Sequence, residues 1–466
     1  MKKIISFATT IGIIALALLA SCNKSEFLSV KPDQSLIVPT TLTDLQELMD
    51  NDLVMNGSGD YGIVPSFGEA GSDDYYCNSD VYNTVLSPLY RNIYIWNENL
   101  YANENIFDWD FPYRAIFYSN IVLDGLNKIK ITPDNSATWE NIRGQALFNR
   151  AHMFYQLAQI FAPPYNKDNI SSLLGIPLRL EADISEKIKR ATLEQTYQQI
   201  VSDLKASASL LPVTPVYKTR PSKPAAYALL ARVYQTMENY DTALLYADSC
   251  LSIDSTLMDY NMMDTTSYTP FPRFNKEVIF NCDLIFSGIP PFVPYIGGFV
   301  DTVLYNMYDQ NDLRKVLFFK DVGNGGLSFV GTYDGDYIPF AGLATDEIYL
   351  IRAECYARNG NVSGAIADLN RLLVKRYKTG TFVPLSASSP DEALKLVLTE
   401  RRKELCFRGL RWIDLRRLNQ DPDFAITLKR EINGQVYTLP PDDPRYTYPI
   451  PVNVIGFNPQ MPQNIR

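Results

Sequence analysis

Past residue 139, apolar residues return at the three-to-four-residue interval of an α-helix, and they do so in paired segments. Phe148, Ala151, Phe154, Tyr155, Ala158 and Ala162 share one face of a helix predicted from about Trp139 to Ala162, which Pro163-Pro164 ends. Tyr197, Ile200, Leu204 and Ala208 form the next face between Thr192 and Leu211, before Pro212. Pro224 opens a helix carrying Tyr227, Leu230, Ala231 and Tyr234, and beyond Asn239 a partner carries Ala243, Ala247 and Cys250. A last pair holds Tyr349, Ala353 and Tyr356, then Ala365, Leu369 and Leu372 beyond Asn359-Gly360-Asn361. Near the start, a shorter helix is predicted from about Asp44 through Met49, with Thr43 as its N-cap.

Ala231 and Ala243 stand twelve residues apart, as do Ala353 and Ala365. With the flanking tyrosines, this is the tetratricopeptide pattern, in which small residues let two antiparallel helices approach closely. The two best pairs lie 122 residues apart, so they do not form an unbroken solenoid. The segment between them, Asp254 to Ala344, is rich in Gly, Pro, Tyr, Phe and Asp and has no helical period, as in Gly288-Ile289-Pro290-Pro291-Phe292. It reads as loops with a few short strands, and so does Ser58 to Asn97. Long irregular segments on a rigid scaffold commonly carry function.

The first residues change the picture. Lys2 and Lys3 precede an apolar run from Ile4 to Ala20, and Leu19-Ala20-Ser21-Cys22 follows. This has the form of a secretory signal peptide over residues 1–21, with Cys22 placed as a lipidated cysteine after a lipobox. The run is also near the lower length of a single membrane span, but Asn23 to Glu26 gives no strong stop signal. Residues 22–41 then read as the lipidated cysteine and an extended arm that includes Pro32 and Pro39. The formal charge of −9 becomes −11 once Lys2 and Lys3 are removed, which argues against nucleic acid as a partner. Of six cysteines, Cys77, Cys250, Cys282, Cys355 and Cys406 remain beside Cys22, an odd number without any CxxC spacing. Cys250, Cys355 and Cys406 lie in apolar helical patterns and read as buried free thiols.

Three stretches resemble the SusD/RagB family of outer-membrane lipoproteins of Bacteroidota. They are Ala344-Thr345-Asp346-Glu347-Ile348-Tyr349-Leu350-Ile351-Arg352-Ala353-Glu354, the charged run Glu400 to Arg417, and Tyr448-Pro449-Ile450-Pro451 with Asn458-Pro459-Gln460-Met461-Pro462-Gln463-Asn464. Arg220-Pro221-Ser222-Lys223-Pro224-Ala225-Ala226 matches as well, and Arg408 departs from the family's usual Glu before Gly409. The resemblance implies a mostly α fold of about four tetratricopeptide-like helical pairs forming a scaffold, with an inserted loop-rich subdomain containing a few short strands. On this reading residues 42–253 are the N-terminal SusD-like region, 254–344 the loop-rich insert and 345–466 the C-terminal region with the last helical pair. It further implies a lipid anchor in the outer membrane facing the exterior, and capture of a glycan. The implied partner is a SusC-like TonB-dependent transporter barrel that imports the ligand. A peptide ligand is the alternative within the same transport pair, and a surface glycoside hydrolase is the third reading.

Candidate chemistry is sparse. His152 is the single histidine, placed mid-helix, and the chain has no GxSxG motif, so it reads as a core residue. No catalytic residue, cofactor or metal site is expected: histidine clusters are excluded by count and no phosphate- or dinucleotide-binding glycine pattern occurs. Asp73-Asp74 and Asp334-Gly335-Asp336 offer oxygens to calcium but lack EF-hand spacing and read as polar turns. The Glu400–Arg417 cluster reads as an ion-pair network locking two helices, with a turn at Gly409. The aromatics are more informative, at 12% of the chain with 30 tyrosines. Loop aromatics include Tyr61, Tyr75, Tyr76, Tyr90, Tyr94, Trp96, Tyr101, Phe292, Tyr295 and Tyr305. Sugar rings stack on flat side chains while nearby carboxylates and amides bond the hydroxyls. The expected ligand-binding residues are therefore Asp73, Asp74, Tyr75, Tyr76, Trp96, Asn97 and Tyr295.

Overall fold

The computed structural model describes residues 39–59, 62–102, 104–183, 185, 189–285, 298–323 and 326–466. Among these are ten helices of eight residues or more. The first four are α1 (Leu42–Met49), α2 (Phe107–Leu126), α3 (Ser136–Phe161) and α4 (Leu193–Leu210). Next come α5 (Lys223–Thr236) and α6 (Tyr240–Ile253). The C-terminal part supplies α7 (Thr345–Arg358), α8 (Val362–Leu373), α9 (Pro390–Glu404) and α10 (Arg411–Leu418).

Side chains that satisfy free backbone donors set the helix starts. Asn239 accepts from the Thr242 N–H at 3.2 Å to begin α6, and Asn361 accepts from the Gly364 N–H at 2.9 Å to begin α8. Ser389 caps α9, with Pro390 at its first position. The start of α1 differs from the expected one. Thr41, not Thr43, is the N-cap, because Asp44 accepts from the Thr41 N–H at 2.9 Å while Thr41 accepts from the Asp44 N–H at 3.1 Å. That reciprocal capping box selects one threonine from three neighbouring candidates.

The pairs pack as their spacing implies. Helix α3 lies between α2 and α4, α5 pairs with α6, α6 leads onto α7, and α7 pairs with α8 beneath α9. Ala231, Ala243, Ala353 and Ala365 are fully buried where the paired axes approach. Glu238 and Gly360 hold equivalent places in the two pairs and both turn with positive φ, at 55° and 78°. Gly360 takes that conformation freely, whereas Glu238 carries a Cβ into it.

Among the described residues ten short strands form five antiparallel two-stranded ribbons. They are β1 (Tyr75–Cys77), β2 (Leu174–Pro177), β3 (Arg190–Thr192), β4 (Val278–Phe280), β5 (Gly298–Val300), β6 (Phe319–Asp321), β7 (Leu327–Phe329), β8 (Leu343–Ala344), β9 (Leu428–Ile432) and β10 (Gln435–Leu439). The ribbons are β1–β5, β2–β3, β4–β8, β6–β7 and β9–β10. The Asp254–Ala344 segment thus holds short strands as expected. The Ser58–Asn97 segment is more helical than its composition indicates: besides β1 it contains Phe67–Gly71, Ser79–Thr84 and Pro88–Tyr94. Local caps explain two of these, since Asn78 and Ser87 each accept from a first-turn N–H and Pro88 is preset for a first helical position. Residues Thr41–Arg466 form one compact unit. No described helix is long and apolar enough to cross a membrane.

Charge, as well as apolar packing, joins the insert to the helices. Glu404 accepts from Arg314 at 2.9 Å and Arg376 at 2.7 Å, and Arg376 continues to Glu277 at 2.9 Å. Arg314 also binds Asp312 at 2.7 Å and Glu400 at 2.6 Å. On the other side of α9, Arg401 and Arg417 share Asp414, and Arg417 forks onto Glu354 at 2.6 and 2.8 Å. The cluster read from sequence as a helix-locking network is thus a buried lattice that reaches well beyond two helices. Gly409, with φ 71°, makes the turn between α9 and α10. Arg408 binds Asp346 at 2.9 Å and lies 4.1 Å over the Tyr333 ring, so the departure from the family pattern supplies a cation to a buried acid.

Replacing exposed Glu238 with glycine removes the strain of its left-handed turn. Urea denaturation of Glu238→Gly is expected to show a gain of about 0.5–1 kcal/mol with an unchanged m-value.

Candidate functional site

The ribbon β1–β5 brings together two segments more than 200 residues apart, in the register Tyr75↔Val300, Tyr76↔Phe299 and Cys77↔Gly298. Side chains alternate across a strand. Tyr75 and Cys77 turn into the core, while Tyr76 stays half-buried on the outer side with its ring 5.6 Å from that of Phe299. Gly326 packs so closely against the Phe299 ring that a Cβ has no room there. Beneath the ribbon is a cavity of about 260 Å³, lined by Asp73, Tyr75, Tyr76, Tyr94, Trp96, Asp301 and residues Leu428 to Glu431 of β9.

The inner wall is fully engaged. The Tyr75 hydroxyl donates to the Ala70 carbonyl at 2.9 Å and the Trp96 indole N–H to the Gly71 carbonyl at 2.9 Å. The Arg430 guanidinium lies 3.8 Å over Tyr94, 4.8 Å over Trp96 and 5.3 Å over Tyr75. It donates to the carbonyls of Ala70, Ser72 and Tyr94. Burial pushes the Tyr75 and Tyr94 hydroxyls up, with Arg430 opposing. The wall is therefore neutral at tyrosine and cationic at its centre.

Asp73 and Asp74 face the ends of α9 and α10. Asp73 accepts a two-point fork from Arg411 at 2.7 and 2.9 Å, and Arg402 lies 3.3 Å from Asp74. Burial raises both carboxyls, but Arg411 and Arg402 outweigh it at Asp73 and hold that group well below the usual range. At Asp74 burial wins over Arg402, and the pKa is pushed up to about 6. Behind them Glu69 is fully buried, accepts from the Gly409 N–H at 2.9 Å and has its other oxygen unpartnered. Burial, and then the charge of Asp74, push Glu69 up to about 8.

Of the expected ligand-binding residues, the fold gathers Asp73, Tyr75, Tyr76 and Trp96 around this one cavity. Tyr75 and Trp96 are only 3% and 1% exposed, so their rings build the wall and present no open face to a sugar. Asp73 and Asp74 are committed to arginines. Asn97 is half-buried beyond the cavity, donating to the Asn92 side chain at 3.2 Å. Tyr295 and Cys22 lie outside the described residues. Sequence reasoning did not single out Phe299, Asp301 or Arg430. The alternation Leu428, Arg430, Ile432 marks Arg430 as inward-facing, but only the fold reveals the aromatic rings around it.

Metal chemistry finds little support in the donor sets. Among the described residues Glu277, Asp346 and Glu404 gather oxygens within 4.8 Å. Arg376, Arg408 and the Tyr333 hydroxyl already fill the positions a cation needs. Asp334, named with Asp336 as a calcium candidate, lies 3.0 Å from Arg273. His152 is fully buried between Phe148 and Phe280, and burial pushes its pKa down to about 3. Cys77, Cys250, Cys282, Cys355 and Cys406 are buried free thiols.

Residues 26–235 match the family model described as starch-binding and associating with the outer membrane, and residues 345–466 match the model of the SusD family. The chain belongs to the SusD family. A SusD-like protein, P2, from Formosa agariphila is 23% identical over 370 residues, covering 66% of this chain and 68% of that one. The fold is that of solved SusD structures. A SusD superfamily protein from Bacteroides thetaiotaomicron superposes with a TM-score of 0.74 at 21% identity, over 91% of this chain and 100% of its own. The surface glycan-binding protein A from Bacteroides uniformis gives 0.69 at 18% identity, over 91% and 99%. SusD proteins are mostly helical with tetratricopeptide-like pairs, and this chain has that architecture.

The raised carboxyl of Glu69 makes stability pH-dependent with a definite sign. Its folded-state pKa of about 8 lies above the ordinary 4.5, so its contribution is complete below pH 4.5 and is lost as pH rises through 8. Glu69→Gln cannot ionise. Chemical denaturation is expected to show the variant ahead of wild type by ~1–3 kcal/mol at pH 9 and level with it at pH 5.

Proposed function

We propose that this protein is a glycan-binding lipoprotein of the outer membrane that captures oligosaccharide at the β1–β5 ribbon. It then delivers the sugar to a SusC-like TonB-dependent transporter. The family supports a carbohydrate-binding role, and the family model covering the N-terminal half is described by starch binding and association with the outer membrane. Lipidation at Cys22, after removal of residues 1–21, is the anchor in this reading.

The observation that carries the placement is the Tyr76–Phe299 pair. It is the half-buried aromatic face of a ribbon whose inner rings are sealed, beside half-buried Asp301 and exposed Lys429 and Glu431. Aromatic rings next to charged groups suit a sugar, whose C–H faces stack while its hydroxyls seek acceptors and donors. Tyr75, Trp96 and Arg430 act as the support that fixes the ribbon. No step of bond breaking is assigned. Binding is by stacking and hydrogen bonds, and the transporter supplies the energy for uptake.

A glycan array with the purified protein identifies the ligand, and titration calorimetry with the best hit tests the place. Tyr76→Ala and Phe299→Ala are each expected to weaken binding about tenfold, near 1.4 kcal/mol, with an unchanged circular dichroism spectrum. Undiminished binding in both variants rejects the ribbon as the site. Binding to peptides but to no sugar rejects the glycan.

A further inference from the structure

A second cleft lies elsewhere in the fold. It has a volume of about 620 Å³ and shares no lining residue with the cavity beneath β1–β5. One side is the loop from Pro163 to Leu174, which follows α3. The other is the turn Asp442–Thr447 and the tail Gln463–Ile465. Arg190 and Arg416 line it too, only 8% and 3% exposed.

These two arginines differ from most buried arginines of the fold. Arg150, Arg232, Arg314, Arg376, Arg401, Arg408 and Arg417 each face a carboxylate. Arg190 instead donates to the carbonyls of Gly175 at 2.8 Å, Leu174 at 3.0 Å and Pro462 at 3.2 Å. Arg416 donates to the Gln159 and Ala162 carbonyls at the end of α3. The helix dipole there offsets part of one charge, and no side chain offsets either. The acids at the rim are otherwise occupied or solvated: Asp443 is held in a fork by Arg445 at 2.8 Å on both arms, and Asp442 is exposed.

On this wall Arg416 Nε is also left without a hydrogen-bond partner, and Asn419 Nδ2 and the Tyr446 hydroxyl have none but each other. All three can donate. Buried donors without acceptors are costly, and guanidinium groups favour the two oxygens of a planar or tetrahedral oxyanion. Burial pushes both Arg190 and Arg416 down to about 10, the direction an absent counter-charge produces.

We propose that this cleft is a second binding site, for a sugar residue bearing an oxyanion, either the carboxylate of a uronic acid or a sulfate ester. The oxyanion accepts from Arg416, Asn419 and Tyr446 on the wall. The ring of the sugar lies along Pro163 and Pro164, and the amides of Asn166 and Gln420 meet its hydroxyls. This rests on the reading that the protein binds glycans, and it makes that binding charge-selective.

Titration calorimetry of the protein with trigalacturonate, a sulfated carrageenan disaccharide and neutral maltotriose tests it. At least one acidic sugar is expected to bind, more weakly in 0.5 M NaCl, and the arm that binds names the oxyanion. Ser172→Trp, on the exposed lip of the cleft, is expected to cut that affinity tenfold or more while leaving the fold intact by circular dichroism. Arg416→Gln should do the same if it folds, and Tyr76→Ala should not. Failure of both acidic sugars to bind overturns the inference, as does acidic-sugar binding that survives Ser172→Trp. Loss in Tyr76→Ala alone assigns the anion to the ribbon and leaves the glycan reading standing. Absence of any glycan on an array removes both.

Discussion

The buried exchange between Glu404 and its two arginines is the constraint on which the rest of the molecule depends. Glu404 sits at the end of α9, and Arg376 carries its charge to Glu277 while Arg314 carries it to Asp312 and Glu400. The four partners other than Glu400 have side chains sealed from solvent, and Glu400 nearly so. Such a lattice gains little net free energy over apolar packing, because each charge must first be stripped of water. Its rigour lies in the alternative: removing one member leaves a buried charge unpaired, at a cost of ~3–5 kcal/mol. Glu277, Asp312 and Arg314 belong to the insert, so the lattice admits one position of the insert on the helices.

That position builds the ribbon. Strand β5 comes from the insert and β1 from the N-terminal region, and neither is long enough to be stable alone. Arg402 and Arg411 fix Asp73 and Asp74 from the α9–α10 side, immediately before β1. Both strands thus hang on α9 through charge: β1 through Arg402 at Asp73 and Asp74, and the insert that carries β5 through Glu400 and Glu404 at Arg314. The outer face carrying Tyr76 and Phe299 makes few of these bonds, which leaves a scaffold fixed by ions and a proposed binding face free to vary.

The helical pairs were legible because burial writes itself into sequence at a fixed period, and Ala231, Ala243, Ala353 and Ala365 have no other role than close approach. The loop aromatics were not legible in the same way. Tyr75, Tyr76 and Trp96 carry the same side-chain chemistry whether a ring faces core or solvent. The choice is made by pairing with β5, far along the chain, which turns Tyr75 inward and Tyr76 outward. The start of α1 was displaced for a local reason: several threonines precede it, and only the reciprocal bond between Thr41 and Asp44 decides among them. Arg190 gave no signal, and Arg416 read as one more member of the Glu400–Arg417 ion-pair network although it meets carbonyls instead, since an arginine without a carboxylate partner is a property of three dimensions.

Amide hydrogen exchange on Arg376→Gln, compared with wild type, tests most directly whether the buried charge lattice positions the β1–β5 ribbon. Faster exchange confined to Gly298–Val300 and Tyr75–Cys77, with α5 and α6 still protected, is the predicted result. Unchanged protection of the two strands, or an even loss across every helix, would contradict it.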